Sequence, residues 1–345
     1  MTAGGSAGYP PSMRFYAVII CCLGVLSSCS SVVPAVGGTS DSKVEFLKDP
    51  RSRLHLEHDT ILLISPNPAK GFNFGYFLRV PRDIRPSNPV LYVEPNGKID
   101  SNDLAAQEQA ARKIVESGYS LRLAQRLKSP MLVPIFYSLG TGIYVQALNR
   151  KALKVHEGPL KRVDLQLMAM IEDARKLLER SGVKVTPKVF MNGFSASGVF
   201  TIRFTALHPE LVQASSAGGI NALPMLPMPK LENYPLNYPL GINNFEGVTG
   251  KKLNLDAYLH APQKMYMGEL DVNDTVPFGD SWDEDEAALI RHVFGEKMMP
   301  DRWAKTQEIL ESTGADVDLK TYASVGHKVP AVIEEEIYQF LEAHR

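Results

Sequence analysis

The heptapeptide MNGFSAS, residues 191–197, ends an extended stretch (Lys188–Asn192) in a glycine and sets a serine two residues further on. The next twelve residues, Ala196–Leu207 (ASGVFTIRFTAL), read as a helix. A strand, a sharp turn and a helix with Ser195 at the bend would hold its hydroxyl exposed above the end of a sheet. Small residues must flank such a turn so that strand and helix can approach closely. Gly193 meets that need, and the second small position holds Ser197, with Gly198 just after it. Taken alone, Ser195 reads equally well as the N-cap of the following helix. Its meaning depends on the rest of the chain.

From about Lys43 onward, strand and helix signals alternate. The strand candidates are Thr60–Ile64, Gly75–Val80, Val90–Glu94, Met131–Tyr137, Lys188–Asn192, Ala214–Gly218, Lys264–Gly268 and Leu319–Ala323. The helix candidates are Asp103–Glu116, Asp164–Arg180, Ala196–Leu207, Glu284–Phe294, Arg302–Ser312 and Pro330–His344. In Asp164–Arg180 the apolar residues recur at the helical period, and Ser181-Gly182 stops the run. Two early strands in a hairpin-like run, followed by alternation, predict an α/β fold with a mostly parallel central sheet flanked by helices. Residues 43–345 fit one large domain. Asn221–Pro262 interrupts the alternation with five prolines up to Pro239 and a tandem Asn-Tyr-Pro-Leu. Loops this long inside a domain are usually functional, and this one reads as a cap over Ser195. Tyr234, Tyr238 and Met225 are its candidate pocket residues, suited to an uncharged, partly apolar acyl group.

A serine nucleophile needs a base, and the base needs an orienting acid. Downstream, Lys264–Gly268 runs into Glu269-Leu-Asp271-Val-Asn-Asp274-Thr-Val-Pro277, and the strand near Leu319 into Gly326-His327. Strand, Gly-x-Ser turn, helix, glycine-x-x-aspartate turn and Gly-His, in that order, resemble the α/β-hydrolases, in particular esterases and polyester-depolymerase-like enzymes. The resemblance implies Ser195 as nucleophile, His327 as base and Asp271 as acid, with Asp274 as the alternative. It also implies an oxyanion hole from the Ala196 N–H and a donor in Val93-Glu94-Pro95-Asn96-Gly97. Proline has no N–H, so Asn96 or Gly97 must supply that donor. The usual glycine of the turn is Ser197 here, and the common His-Gly of the oxyanion loop is missing. Ser281-x-x-Glu284 reads as a capping box at a helix start.

The first residues differ in kind. Met13-Arg14, the apolar run Phe15–Leu26 and Ser27-Ser28-Cys29 read as a secretory signal over residues 1–28, whose Leu-Ser-Ser-Cys end resembles a bacterial lipoprotein box. Lipidated Cys29 would open the mature chain, residues 29–42 would be a tether, and the protein would be exported and lipid-anchored in the cell envelope, at the outer membrane. All three cysteines lie in this segment, so the mature domain has no disulfide. With 44% apolar residues and a net charge of −1, the chain offers no basic surface for nucleic acid. No metal-ligand spacing is present, and no metal or cofactor is expected. The expected activity is hydrolysis of a small or polymeric carboxylic ester through an acyl-enzyme. A serine peptidase on the same fold and a non-catalytic binding lipoprotein are the competing readings.

Overall fold

The computed structural model describes residues 43–46 by their backbone, together with 58–99, 101–279 and 281–345. The expected signal peptide, Cys29 and the tether lie outside the described residues. Nine strands form one sheet: β1 (Lys43–Phe46), β2 (Thr60–Ile64), β3 (Tyr76–Val80), β4 (Leu91–Val93), β5 (Met131–Pro134), β6 (Val189–Phe194), β7 (Val212–Gly218), then β10 (Gln263–Gly268) and β11 (Val317–Tyr322). Their order is β1-β2-β3-β5-β4-β6-β7-β10-β11. β3 runs antiparallel to both neighbours, and β5, β4, β6, β7, β10 and β11 are mutually parallel. The C-terminal ends of these six strands therefore share one edge, where open α/β sheets bind ligands.

The parallel strands are apolar on both faces because helices cover both. On one face Phe77, Tyr92, Phe190 and Tyr266 pack with α1 (Leu104–Glu116), α2 (Tyr119–Arg126) and α10 (Ala331–Ala343). On the other, Leu78, Val93 and Met191 meet α4 (Val163–Arg180) and α5 (Ala196–Leu207), after the short α3 (Arg150–Leu153). Every residue of α5 from Ser197 to Leu207 is buried. A helix wedged between a sheet and a further layer is covered on every side, and its polar residues Thr201, Arg203 and Thr205 are buried with the apolar ones.

The 221–262 segment corrects one expectation. It forms a small hairpin, β8 (Lys230–Leu231) with β9 (Tyr234–Pro235), and two short helices, α6 (Phe245–Thr249) and α7 (Leu255–Leu259). Its apolar residues are interior. Leu223, Leu226, Leu236 and Leu240 join Trp282, α8 (Glu284–Phe294) and α9 (Trp303–Ser312) in one cluster. Met225, Tyr238, Phe245 and Tyr258 join the main core. Tyr238 is fully buried, with its hydroxyl on the Leu148 carbonyl and its ring edge-on to Phe245 at 5.9 Å. Met225 is buried and its carbonyl accepts the Tyr258 hydroxyl at 2.7 Å. The capping box is also displaced from its expected place: Asp283, not Ser281, caps α8, with Glu286 reaching back to the Asp283 N–H at 2.8 Å.

The two tyrosines of the repeated tetrapeptide should therefore differ in cost. Tyr238→Ala removes a buried ring and should destabilise the protein by about 3–5 kcal/mol. Among the described residues the Tyr234 hydroxyl bonds His292 at the surface (2.6 Å), so Tyr234→Ala should stay within about 1 kcal/mol. Urea denaturation of both variants checks the contrast.

Candidate functional site

The site grows from the end of β6. Ser195 has φ +60° and ψ −124°, a left-handed conformation that a side chain adopts only under constraint, and its side chain makes no capping bond to α5. The alternative of a simple N-cap is thereby set aside. Its backbone is held from below, the Ser195 N–H donating to the Gly218 carbonyl at 2.9 Å. A Cβ at Gly193 would collide with the Ser197 carbonyl, and one at Gly198 would lie 2.6 Å from the Gly218 oxygen. Strand, turn and helix thus touch backbone to backbone. Ser197 has a use that glycine could not serve: its Oγ accepts the Phe194 N–H and donates to the Phe194 carbonyl, both at 2.9 Å. The hydroxyl staples the bend from inside.

His327, on the loop after β11, stands beside this turn. Its ring leans on Phe194 at 4.6 Å, and its Cε1 comes so near Gly219 that a Cβ there would be 2.9 Å away. His327 Nδ1 and Asp271 Oδ2 are 2.8 Å apart, and Asp271 also accepts the Asn273 N–H at 2.9 Å. Asn273 Nδ2 donates to His327 Nε2 at 3.3 Å. This geometry fits a ring that donates from Nδ1 to Asp271 and accepts the Asn273 amide at Nε2. Ser195 Oγ itself makes no hydrogen bond among the described residues. Asp274 is elsewhere engaged: both its oxygens bind the buried Arg302 Nη1, at 2.8 and 2.9 Å, and Oδ1 caps the Val276 N–H. Of the two aspartates, Asp271 faces the histidine.

The loop after β4 lies beside β6. The Asn96 side chain is buried and clasps the Phe136 backbone, donating to its carbonyl at 2.7 Å and accepting its N–H at 3.0 Å. This fixes the peptide groups of Asn96 and Gly97, and no other backbone group of the described residues takes their N–H. Ala196 opens α5, where the first N–H groups of a helix have no internal acceptor.

A cavity of about 670 Å³ opens on the same sheet edge, walled by the loops after β4 (Lys98, Ile99), β5 (Tyr137, Ser138) and β10 (Gly279, Trp282). Tyr234, Tyr238 and Met225 do not line it, nor does any residue of 221–262, because that segment spends its apolar surface inside the core. The lining is instead rich in amides and hydroxyls. Gln107 and Gln146 are buried there, each donating its amide to a backbone carbonyl (Ser101 and Phe136), with no bond to its side-chain oxygen among the described residues. Among the described residues no group of three or more His, Cys, Asp or Glu converges as metal ligands would, and no helix is long and apolar enough to cross a membrane.

Sequence reasoning missed Asn273, and it missed Glu94 and Asn192 beneath the site. A carboxylate closing the apolar run of β4 and an amide in that of β6 were the available signals.

Among solved structures, the chain is similar to the poly(3-hydroxybutyrate) depolymerase LpqC from Bordetella parapertussis. That likeness has 17% identity and TM-score 0.55, over 86% of this chain and 94% of that one. It is also similar to poly(aspartic acid) hydrolase-1 from Sphingomonas sp. KT-1, at 15% identity and TM-score 0.53, over 82% and 97%. The chain has the α/β-hydrolase fold. No protein-family model matches it, and no curated protein does.

Asp274 should prove structural. Removing it leaves the Arg302 guanidinium buried without its counter-charge, so Asp274→Ala should lower stability by about 3 kcal/mol. The midpoint of chemical denaturation measures this directly.

Proposed function

We propose that the protein is a serine hydrolase of carboxylic esters. The observation that carries this reading is the strained Ser195 turn beside the His327–Asp271 pair, on the shared C-terminal edge of β6, β10 and β11. His327 Nε2 takes the Ser195 proton as Oγ attacks the acyl carbon, Asn273 giving up its hydrogen bond to the ring. Asp271 holds the ring and stabilises the imidazolium that forms. The N–H of Ala196 and that of Asn96 or Gly97 receive the negative oxygen of the tetrahedral intermediate. The imidazolium returns its proton to the leaving alcohol, and water resolves the acyl-enzyme by the same steps in reverse.

The ester's remaining part is assigned to the polar cavity on the same sheet edge, whose lining includes the Gln107 and Gln146 amides and not Ser195, Asp271 or His327 themselves; those amides suit hydroxyl or amide groups. This replaces the apolar acyl group expected from a capping role of 221–262. Export and a lipid anchor at Cys29 are part of the same proposal, and rest on the N-terminal sequence alone.

Ser195→Ala should lower ester turnover by about three orders of magnitude or more while leaving the melting transition in place. It should also abolish labelling by a fluorophosphonate probe. Undiminished hydrolysis in that variant would falsify the assignment. Asp271→Asn should cost far more in kcat than Asp274→Asn, compared at a temperature where both variants are folded. A parallel panel of esters and peptide amides tells esterase from peptidase.

A further inference from the structure

Glu94 ends the apolar run of β4 and directly precedes Pro95-Asn96-Gly97. It is 3% exposed. The parallel register that pairs Val93 with Met191 brings it opposite Asn192 on the nucleophile strand. Asn192 Nδ2 lies 2.7 Å from its Oε2, the Tyr92 hydroxyl 3.1 Å from the same oxygen, and the Tyr119 hydroxyl 3.5 Å from Oε1. Asn192 Nδ2 also reaches the Tyr119 hydroxyl at 3.2 Å. The titratable groups facing this carboxyl are Tyr92 from β4 itself, Tyr119 from α2 and Tyr266 from β10, with the Ser120 hydroxyl beside them. None of these is a cation. Burial, and then Glu94 itself, push all three phenols well above their usual value.

We propose that Glu94 is a positioning residue of the reaction, a buried carboxyl that ties the Asn96–Gly97 loop to Asn192 on the strand that carries Ser195. The inference rests on the ester-hydrolase reading above. Its physical ground is the sign of the charge. Negative charge develops on the substrate oxygen beside Asn96 and Gly97, and a buried carboxylate next to that loop would oppose it with little solvent to screen the repulsion. The hydrogen bonds given to Glu94 favour its anion, complete burial opposes it, and burial wins: the carboxyl is pushed up to about 8. The acid proton also needs an acceptor. Asn192 Oδ1 is buried with no partner among the described residues, and the opposite orientation of that amide presents this oxygen to both the Glu94 acid and the Tyr119 hydroxyl.

The group is neutral below about 8 and charged above it, so its ionisation should lower turnover as pH rises. Stability moves in the same direction. The unfolded chain releases this proton near 4.5 and the folded chain holds it to about 8, so stability falls as pH rises between those values and levels off beyond.

The test uses the full chain and p-nitrophenyl butyrate, with kcat and KM measured across neutral and alkaline pH for the parent, Glu94→Gln and Glu94→Ala. The amide copies the neutral acid and cannot ionise. Glu94→Gln should keep kcat at neutral pH within about threefold and should lose the alkaline fall, while Glu94→Ala should lose kcat about tenfold or more at nearly unchanged KM. Melting temperatures should fall from pH 5 to 8 more steeply in the parent than in Glu94→Gln. An alkaline fall shared by the parent and Glu94→Gln overturns the proposal, as does a Gln variant as impaired as the Ala variant. Ester hydrolysis that survives Ser195→Ala would instead strike the underlying reading, so the two failures are told apart.

Discussion

The close approach of β6, α5 and β7 is the constraint from which the site follows. Their backbones meet where neither Gly193 nor Gly198 has room for a Cβ, and the Ser195 N–H is drawn onto the Gly218 carbonyl. A chain forced through so tight a bend cannot place Ser195 in an ordinary turn conformation, and the strain costs about 1–3 kcal/mol. The helix that follows offsets it. Phe200, Phe204 and Ile202 are buried on α5, and each contributes about 1.5–3 kcal/mol by leaving water. Ser197 adds an internal clamp at Phe194. A strained serine is therefore sustained by a helix buried on every side, and softening that packing would relax the serine before it unfolded the sheet.

A second close approach sets the partner residues. Gly268 ends β10 so near the chain after β11 that a Cβ would lie 2.6 Å from the Gly326 oxygen. The turn carrying Asp271 and the loop carrying His327 are thus neighbours by backbone contact, and the 2.8 Å Asp271–His327 bond bridges a gap already closed. Further along the same turn, Asp274 is anchored to Arg302 at the start of α9. One aspartate serves the histidine and the other holds the turn still. Spacing from Gly268 favoured Asp271, but sequence contained no sign of Arg302, whose pairing with Asp274 exists only after α9 has packed.

Elements whose character is local were legible. The strand and helix candidates recur within a few residues of their expected ends, because alternation, helical period and Ser-Gly or Gly-His punctuation act over a few positions. What failed was non-local. Tyr238 and Met225 looked like cap residues because prolines surround them, yet their apolar surface found a larger reward in the core than over the site. The eight-residue α2 escaped notice because Ser117-Gly118 reads as the end of α1, and only packing on α10 and the sheet sustains so short a helix. The Ser281-x-x-Glu284 box overlaps by two residues with Asp283-x-x-Glu286, the box that the helix uses. The second places Glu286 within 2.9 Å of Arg150, which the first would not.

The two acids beneath the site illustrate how environment divides identical chemistry. Asp271 and Glu94 are both buried at the ends of parallel strands. Asp271 faces an imidazole, a group that can become a cation in front of it, so a negative charge there gains an opposite charge when the base is protonated. Glu94 faces phenols and an amide, and no proton shift among those groups supplies a positive charge. Burial then decides in favour of the proton. The outcome suits the places they occupy. In the proposed reaction, a charge on Asp271 would support imidazolium formation, whereas a charge on Glu94 would oppose the oxyanion beside the Asn96–Gly97 peptide. Sheet geometry alone sets both carboxyls near the same edge, and the partners they meet there differ in whether any of them can supply a positive charge.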